Sequence, residues 1–128
     1  MDAVTRAASE GLVIGGLYYS RWYHPPDDNQ DPDARSYRYF WMFCPDGGIA
    51  SAPVIAEPGK ITSWFTCENA TIRNGTLGWA DGKYTADMRY AGGDMTWHLE
   101  LLDTGALHLT PAGSPEDRLP LHLDLYVP

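Results

Sequence analysis

Positive charge is scarce in this chain: nine Lys and Arg stand against 17 Asp and Glu, for a formal net charge of -8. A mean field of that sign repels phosphate backbones and anionic membrane surfaces, and no Lys/Arg cluster offers a local exception. Neither nucleic acid nor a membrane is expected as a partner. Long apolar runs are lacking too. The longest near the start, residues 11–19, is far short of the ~20 residues of a spanning helix. It begins behind Asp2 and Glu10, too late for a signal peptide, and shows no small-residue cleavage pattern. The chain therefore reads as made and kept in the cytoplasm. Cysteine is limited to Cys44 and Cys67, in no C-x-x-C pair, so two free, half-buried thiols are expected. In that setting the sequons at Asn69 and Asn74 carry no meaning.

Catalytic signatures are missing as well. The chain has no G-x-S-x-G, no P-loop and no Gly-rich dinucleotide fingerprint, so hydrolase, NTPase and Rossmann chemistry are unsupported. Residues 25–33 (PPDDNQDPD) concentrate four aspartates. A calcium loop needs Gly at its sixth position and Glu at its twelfth, and this spacing fits neither. The segment reads as a solvated loop. No metal and no cofactor are expected.

What is present is alternation, punctuated by Gly, Pro, Asn and Asp, which signals strands and hairpins. With 128 residues and 44% hydrophobic content, residues 1–128 fit a single domain with a real core. Residues 3–9 suit a helical turn. Strands are expected over residues 12–24, 36–44, 49–55, 70–80, 83–90, 95–101, 106–110 and 119–127. Asn74-Gly75 is a candidate bulge. Within residues 59–67, Ile61, Trp64 and Phe65 fall at i, i+3 and i+4, the spacing of a short helix that would cap an opening or edge. Eight strands on short connections form a sandwich or an up-and-down barrel. Closure removes unprotected edges, so the expected fold is an all-β, eight-stranded antiparallel barrel.

Certain residues also resemble a family. Gly16-Leu17-Tyr18 stands where lipocalins carry G-x-W, with Tyr for Trp. Residues 37–49 (YRYFWMFCPDGGI) resemble a hairpin of small lipocalin-like (calycin) domains, followed in order by Ser63-Trp64-Phe65, Glu68-Asn69 and Gly78-Trp79. Residues 16–20 and 37–47 are also similar to the C-terminal barrel of some F-box proteins, although no F-box is present. This likeness spans about two-thirds of the chain and implies a fold. It imports no function, since that fold hosts binders and a few enzymes.

Strand parity points Tyr18, Trp22, Tyr39, Trp41, Phe43, Trp79, Tyr84, Tyr90 and Trp97 inward, with Trp64 on the helix near an open end. An eight-stranded barrel is just wide enough to be filled by side chains or to hold one small ligand, so a solid core and a lined cavity both stay open. The residue types favour a ligand site. Eight Tyr and five Trp outnumber three Phe, and each buried hydroxyl or indole N–H needs a partner. A second constellation, His98, Glu100, His108, His122 and Asp124, lies opposite the leucines of the last strands. It lacks metal-ligand spacing and reads as a solvated face.

Three functions follow. The leading one is binding of a small apolar or aromatic molecule inside an aromatic-lined barrel. The second is a cofactor-free cyclase or isomerase using the same pocket. The third is an acidic protein-interaction module with a filled core, presenting Tyr19, Tyr23 and residues 25–33 to a protein partner.

Overall fold

The computed structural model describes residues 2–23, 36–112 and 120–128. After α1 (Ala3–Ser9) come β1 (Leu17–Tyr19), β2 (Arg38–Phe43), β3 (Gly48–Val54), β4 (Arg73–Ala80), β5 (Lys83–Tyr90), β6 (Gly93–Leu101), β7 (Leu107–Pro111) and β8 (Leu121–Leu125). Each strand pairs antiparallel with the next, and β1 returns to β8 through Tyr18↔Leu125 and Tyr19↔Asp124. The result is the expected closed up-and-down barrel. No helix among the described residues is long and apolar enough to cross a membrane.

Helix α1 is short but well terminated. The Asp2 carboxylate accepts from the Thr5 N–H at 2.7 Å, and that bond holds the carboxyl below its usual pKa. At the other end Gly11, at φ 116°, lets the chain turn back. The Gly11 and Leu12 amides donate to the carbonyls of Ala8 and Ala7, the Schellman arrangement. Leu12 is thereby driven into the core beside Ala7, and the helix plugs one end of the barrel.

Two cores lie on the two sides of the sheet. The lumen holds Tyr18, Phe43, Ile49, Leu77, Leu107 and Leu123, among others. From β5 to β8 only this inner face is buried, as the alternating pattern requires. The outer face of β1–β3 is different. Leu17, Phe40, Met42 and Ala50 point away from the lumen and are buried beneath Ile61, Phe65 and Ile72. The covering segment is built from helical turns. A 3-10 helix, Pro58–Lys60, runs on to Phe65, whose N–H reaches the Ile61 carbonyl at 2.8 Å. It straps the wall of the barrel and does not cap an opening, because the apolar outer residues of β2 are what its own apolar side chains have to cover.

The strap is covalently fastened. Cys44, just beyond β2, and Cys67 form a disulfide, with Cα atoms 5.8 Å apart. The expectation of two free thiols is thus overturned. Folding the strap over β2 brings together two cysteines that are 23 residues apart in sequence. Arg73 adds to the same edge, ion-pairing with Asp46 at 2.6 Å and donating to the Cys67 carbonyl at 3.1 Å.

A crosslink closing a loop of that length removes unfolded-state entropy worth about 3 kcal/mol. The double replacement Cys44→Ala/Cys67→Ala is expected to lower the urea-unfolding free energy by about that amount while keeping the β-sheet circular dichroism signal. An unchanged midpoint would contradict a structural role for the bond.

Candidate functional site: a cavity at the barrel mouth

The two ends of the lumen differ. At the α1 end, side chains pack the interior, and an open cleft of about 610 Å³ is lined there by Glu10, Trp79, Lys83, Tyr84, His98 and Glu100. Tyr18 is fully buried, edge-on to Phe43 at 5.9 Å, and its hydroxyl accepts from the Val13 N–H at 3.0 Å. Burial pushes its pKa up. Tyr84 donates from its phenol to the Glu10 carboxylate, pairing β5 with the helix. Trp79 stacks edge-on against Tyr84 at 4.5 Å beneath the Arg6 guanidinium, and is 37% exposed at the rim.

At the other end the lumen opens into a cavity of about 430 Å³. Trp41 on β2 and Trp97 on β6 meet edge-to-face across it, 6.4 Å apart. The Trp97 indole N–H donates to the Tyr90 hydroxyl at 3.2 Å. Tyr39 and Tyr23 form part of the wall, with Tyr37 stacked on Tyr23 at 6.0 Å and edge-on to Tyr39 at 5.4 Å. Leu121 closes the side toward β8, while Ser51 and Asn74 supply a polar patch. Among the described residues this wall carries no carboxylate, amine, guanidinium or imidazole.

Local irregularities aim two of these groups. Just past β1 the Ser20 hydroxyl accepts from the Tyr39 N–H at 2.8 Å, and the Ser20 N–H donates to the Tyr39 carbonyl at 2.9 Å. Tyr23 then pairs with Tyr37, so three steps along β1 oppose two along β2. That one extra residue reverses parity. Tyr23, expected on the outer face, turns inward to the cavity. Trp22, expected inside, lies under the outward Arg38 guanidinium, 4.5 Å from its ring. In β4 the register jumps from Ile49↔Gly75 to Ala50↔Arg73, leaving Asn74 as the bulged residue that the Asn-Gly pair foreshadowed. Its amide turns toward β3, accepting from the Ser51 hydroxyl at 3.0 Å and donating to the Ser51 carbonyl at 3.2 Å. Gly75 beside it permits the arrangement, since a Cβ there would run into Met88.

Of the ten expected site residues, Tyr39, Trp41, Tyr90 and Trp97 line this cavity. Tyr18, Phe43, Trp79 and Tyr84 belong to the filled end or its rim. Trp64 sits on the strap, 40% exposed against Phe65, and faces no opening. Tyr23, Ser51 and Asn74 were not among the ten. The Asn-Gly bulge signal marked Asn74, whereas nothing in the local pattern marked Ser51. On the outer face, His122 and Asp124 pair at 3.0 Å in an exposed position. No group of metal-binding side chains occurs among the described residues. Of the outward interaction surface expected earlier, Tyr19 lies beneath Arg38, and residues 25–33 lie outside the described residues.

Compared with known proteins, the chain matches no family model, no curated protein and no solved structure. The site is therefore read from its own geometry.

Burial, followed by the Glu10 contact, pushes the Tyr84 phenol up to about 12 from 10.0. A raised folded-state pKa means that the unfolded chain loses this proton first as pH rises. The stabilisation is complete below pH 10 and is lost between there and about 12. In a spectrophotometric titration at alkaline pH, Tyr18 and Tyr84 are both expected to ionise late, and Tyr84→Phe should reduce the late-ionising phenols by one. An unchanged number of late-ionising phenols after the substitution would assign the step elsewhere.

Proposed function

We propose that this domain binds a small apolar or aromatic molecule in the cavity at the mouth of the barrel. The observation that carries the reading is the contrast between the two ends. The α1 end carries an open cleft lined by charged groups, Glu10, Lys83 and Glu100 among them, whereas the other end keeps about 430 Å³ walled by Trp41, Trp97, Tyr39 and Tyr90. That size lies within the range of small-molecule sites, which combine apolar walls with a few convergent polar groups. Burying about 400 Å² of ligand at about 25 cal/mol per Å² gives about 10 kcal/mol gross. Association costs of about 4–15 kcal/mol leave micromolar affinity only for a pre-formed site. A closed barrel whose Trp97 indole is hydrogen-bonded to Tyr90 and whose rings pack on one another supports such pre-forming.

The barrel architecture agrees with a lipocalin-like domain, and we extend the reading to that family and to the F-box-type barrels on the motifs at residues 16–18 and 37–49. The enzyme alternative has less support. The one strongly shifted phenol, Tyr84, lies with Glu10 in the open cleft at the α1 end, away from the aromatic cavity. The filled-core interaction module loses its premise where the lumen is open. The disulfide also bears on location. Thiol-reducing compartments keep such pairs open, so we replace the cytoplasmic expectation with an oxidising compartment.

N-phenyl-1-naphthylamine, a neutral aromatic fluorophore, is expected to bind with one site and low-micromolar affinity, brightening as it leaves water. Leu121→Trp, which extends an indole into the cavity, should weaken it at least tenfold without lowering stability. No enhancement with the wild-type protein would sink the reading. For the location, lysis of cells into denaturant with an alkylating reagent should leave both cysteines unmodified; two alkylated cysteines would restore the cytoplasmic expectation.

A further inference from the structure

We infer that the ligand of this cavity is an uncharged ring system bearing an amide-like edge, one hydrogen-bond acceptor beside one donor, which is read by Asn74 and Ser51. The inference rests on the binding reading above and names the chemistry of what is bound.

The argument begins with the bulge. A strand residue in regular register at position 74 would point away from the lumen, because Gly75 pairs with the lumenal Ile49 and Arg73 with the outward Ala50. The extra residue breaks the β3–β4 ladder at the cavity wall, and bulges recur where a strand re-aims a side chain. Here it brings a carboxamide into the wall of a chamber otherwise lined mainly by aromatic and apolar residues. The amide and Ser51 orient each other through two hydrogen bonds, Ser51 Oγ to Asn74 Oδ1 and Asn74 Nδ2 to the Ser51 carbonyl. Those two bonds leave hydrogen-bonding capacity over. A primary carboxamide has two N–H donors and an oxygen with two lone pairs, and a hydroxyl has two lone pairs of its own. One Asn74 N–H and the lone pairs of Asn74 Oδ1 and Ser51 Oγ therefore remain for a third party. Together they present a donor next to acceptors, the complement of a lactam or carboxamide edge.

The surroundings define the rest of the molecule. Ser51 lies directly across from Trp41 in the β2–β3 ladder, so a ring whose edge meets Ser51 and Asn74 lies against an indole. The edge-to-face pair Trp41–Trp97 offers surfaces suited to a flat π-system. A charged ligand would lose its hydration here, and no opposite charge among the described lining residues would compensate. The fixed polar pair penalises an apolar ligand for a different reason, because it leaves the exposed donor and acceptors without partners once water is displaced.

The test uses displacement of N-phenyl-1-naphthylamine by three bicyclic compounds of similar size: 2-quinolone (a lactam edge), naphthalene (no polar group) and 2-naphthoate (an anion). For the wild-type protein, 2-quinolone should displace the fluorophore at least tenfold more effectively than either of the others. Ser51→Ala and Asn74→Leu should each remove most of that preference, weakening displacement by 2-quinolone and strengthening displacement by naphthalene, since a polar pair serving only the ladder would not set a ligand ratio. Ser51→Ala keeps the bulge itself, so a folding defect in the Asn74 variant leaves the test intact. Equal displacement by naphthalene and 2-quinolone would overturn the inference while the binding reading stands. Preference for 2-naphthoate would overturn it as well. Failure of the fluorophore itself to bind would overturn both.

Discussion

The structure depends on the short seam where β1 meets β8. Tyr18↔Leu125 and Tyr19↔Asp124 turn an open meander into a closed wall, and β1 has only three residues with which to do it. Closure defines an inside. Only then does the alternation along β5–β8 acquire meaning, with one set of residues committed to a lumen and the other to water. The neighbours of the seam reinforce it: the Tyr126 N–H reaches the Leu17 carbonyl at 2.8 Å, and Gly16 accepts the close approach of Leu125, which a Cβ would obstruct.

The wall is not uniform around the barrel. On the β5–β8 side it is one residue thick between lumen and solvent. On the β1–β3 side it is doubled by the strap, its outer core and the Cys44–Cys67 bond. That thickened sector carries Trp41, Tyr39 and Ser51, the residues on one flank of the cavity. Burial on both faces leaves β2 little freedom to shift, so the indole of Trp41 is held from behind as well as from within.

Much of the fold was legible in the sequence because strand pairing leaves a period-2 trace. The strand over residues 83–90 matches β5, and the others agree to within a few residues except at both ends of β1. Its expected span, residues 12–24, contracts to Leu17–Tyr19 because Gly11–Gly16 serves the helix exit and Ser20 begins the bulge. That bulge explains the exchange of Trp22 and Tyr23. An added residue inverts the inside and outside faces from that point on, and no local residue pattern announces it, since Ser20 acts through a side-chain bond to another strand. The helical segment within residues 59–67 was read from its spacing, but its place against the wall was hidden for a related reason. The unbroken run Phe40-Trp41-Met42-Phe43-Cys44 is what a strand buried on both faces looks like, but reading it as alternating aromatics hid the outer half. The Asn74 bulge was visible because Asn-Gly carries its own backbone preference, whereas its partner Ser51 depends on a register that only the folded sheet supplies.

The helix that stoppers one end of the barrel has a kinetic consequence. With α1 seated on Tyr18, Trp79 and Tyr84, a guest of the proposed kind would enter and leave by the same door. Exchange rates would then be governed by the residues around the Tyr23–Tyr39 rim, and residence time could be tuned there without touching the floor of Trp41 and Trp97. Sequence drift in α1 would alter how long the protein survives unfolding, yet leave the traffic through the mouth unchanged.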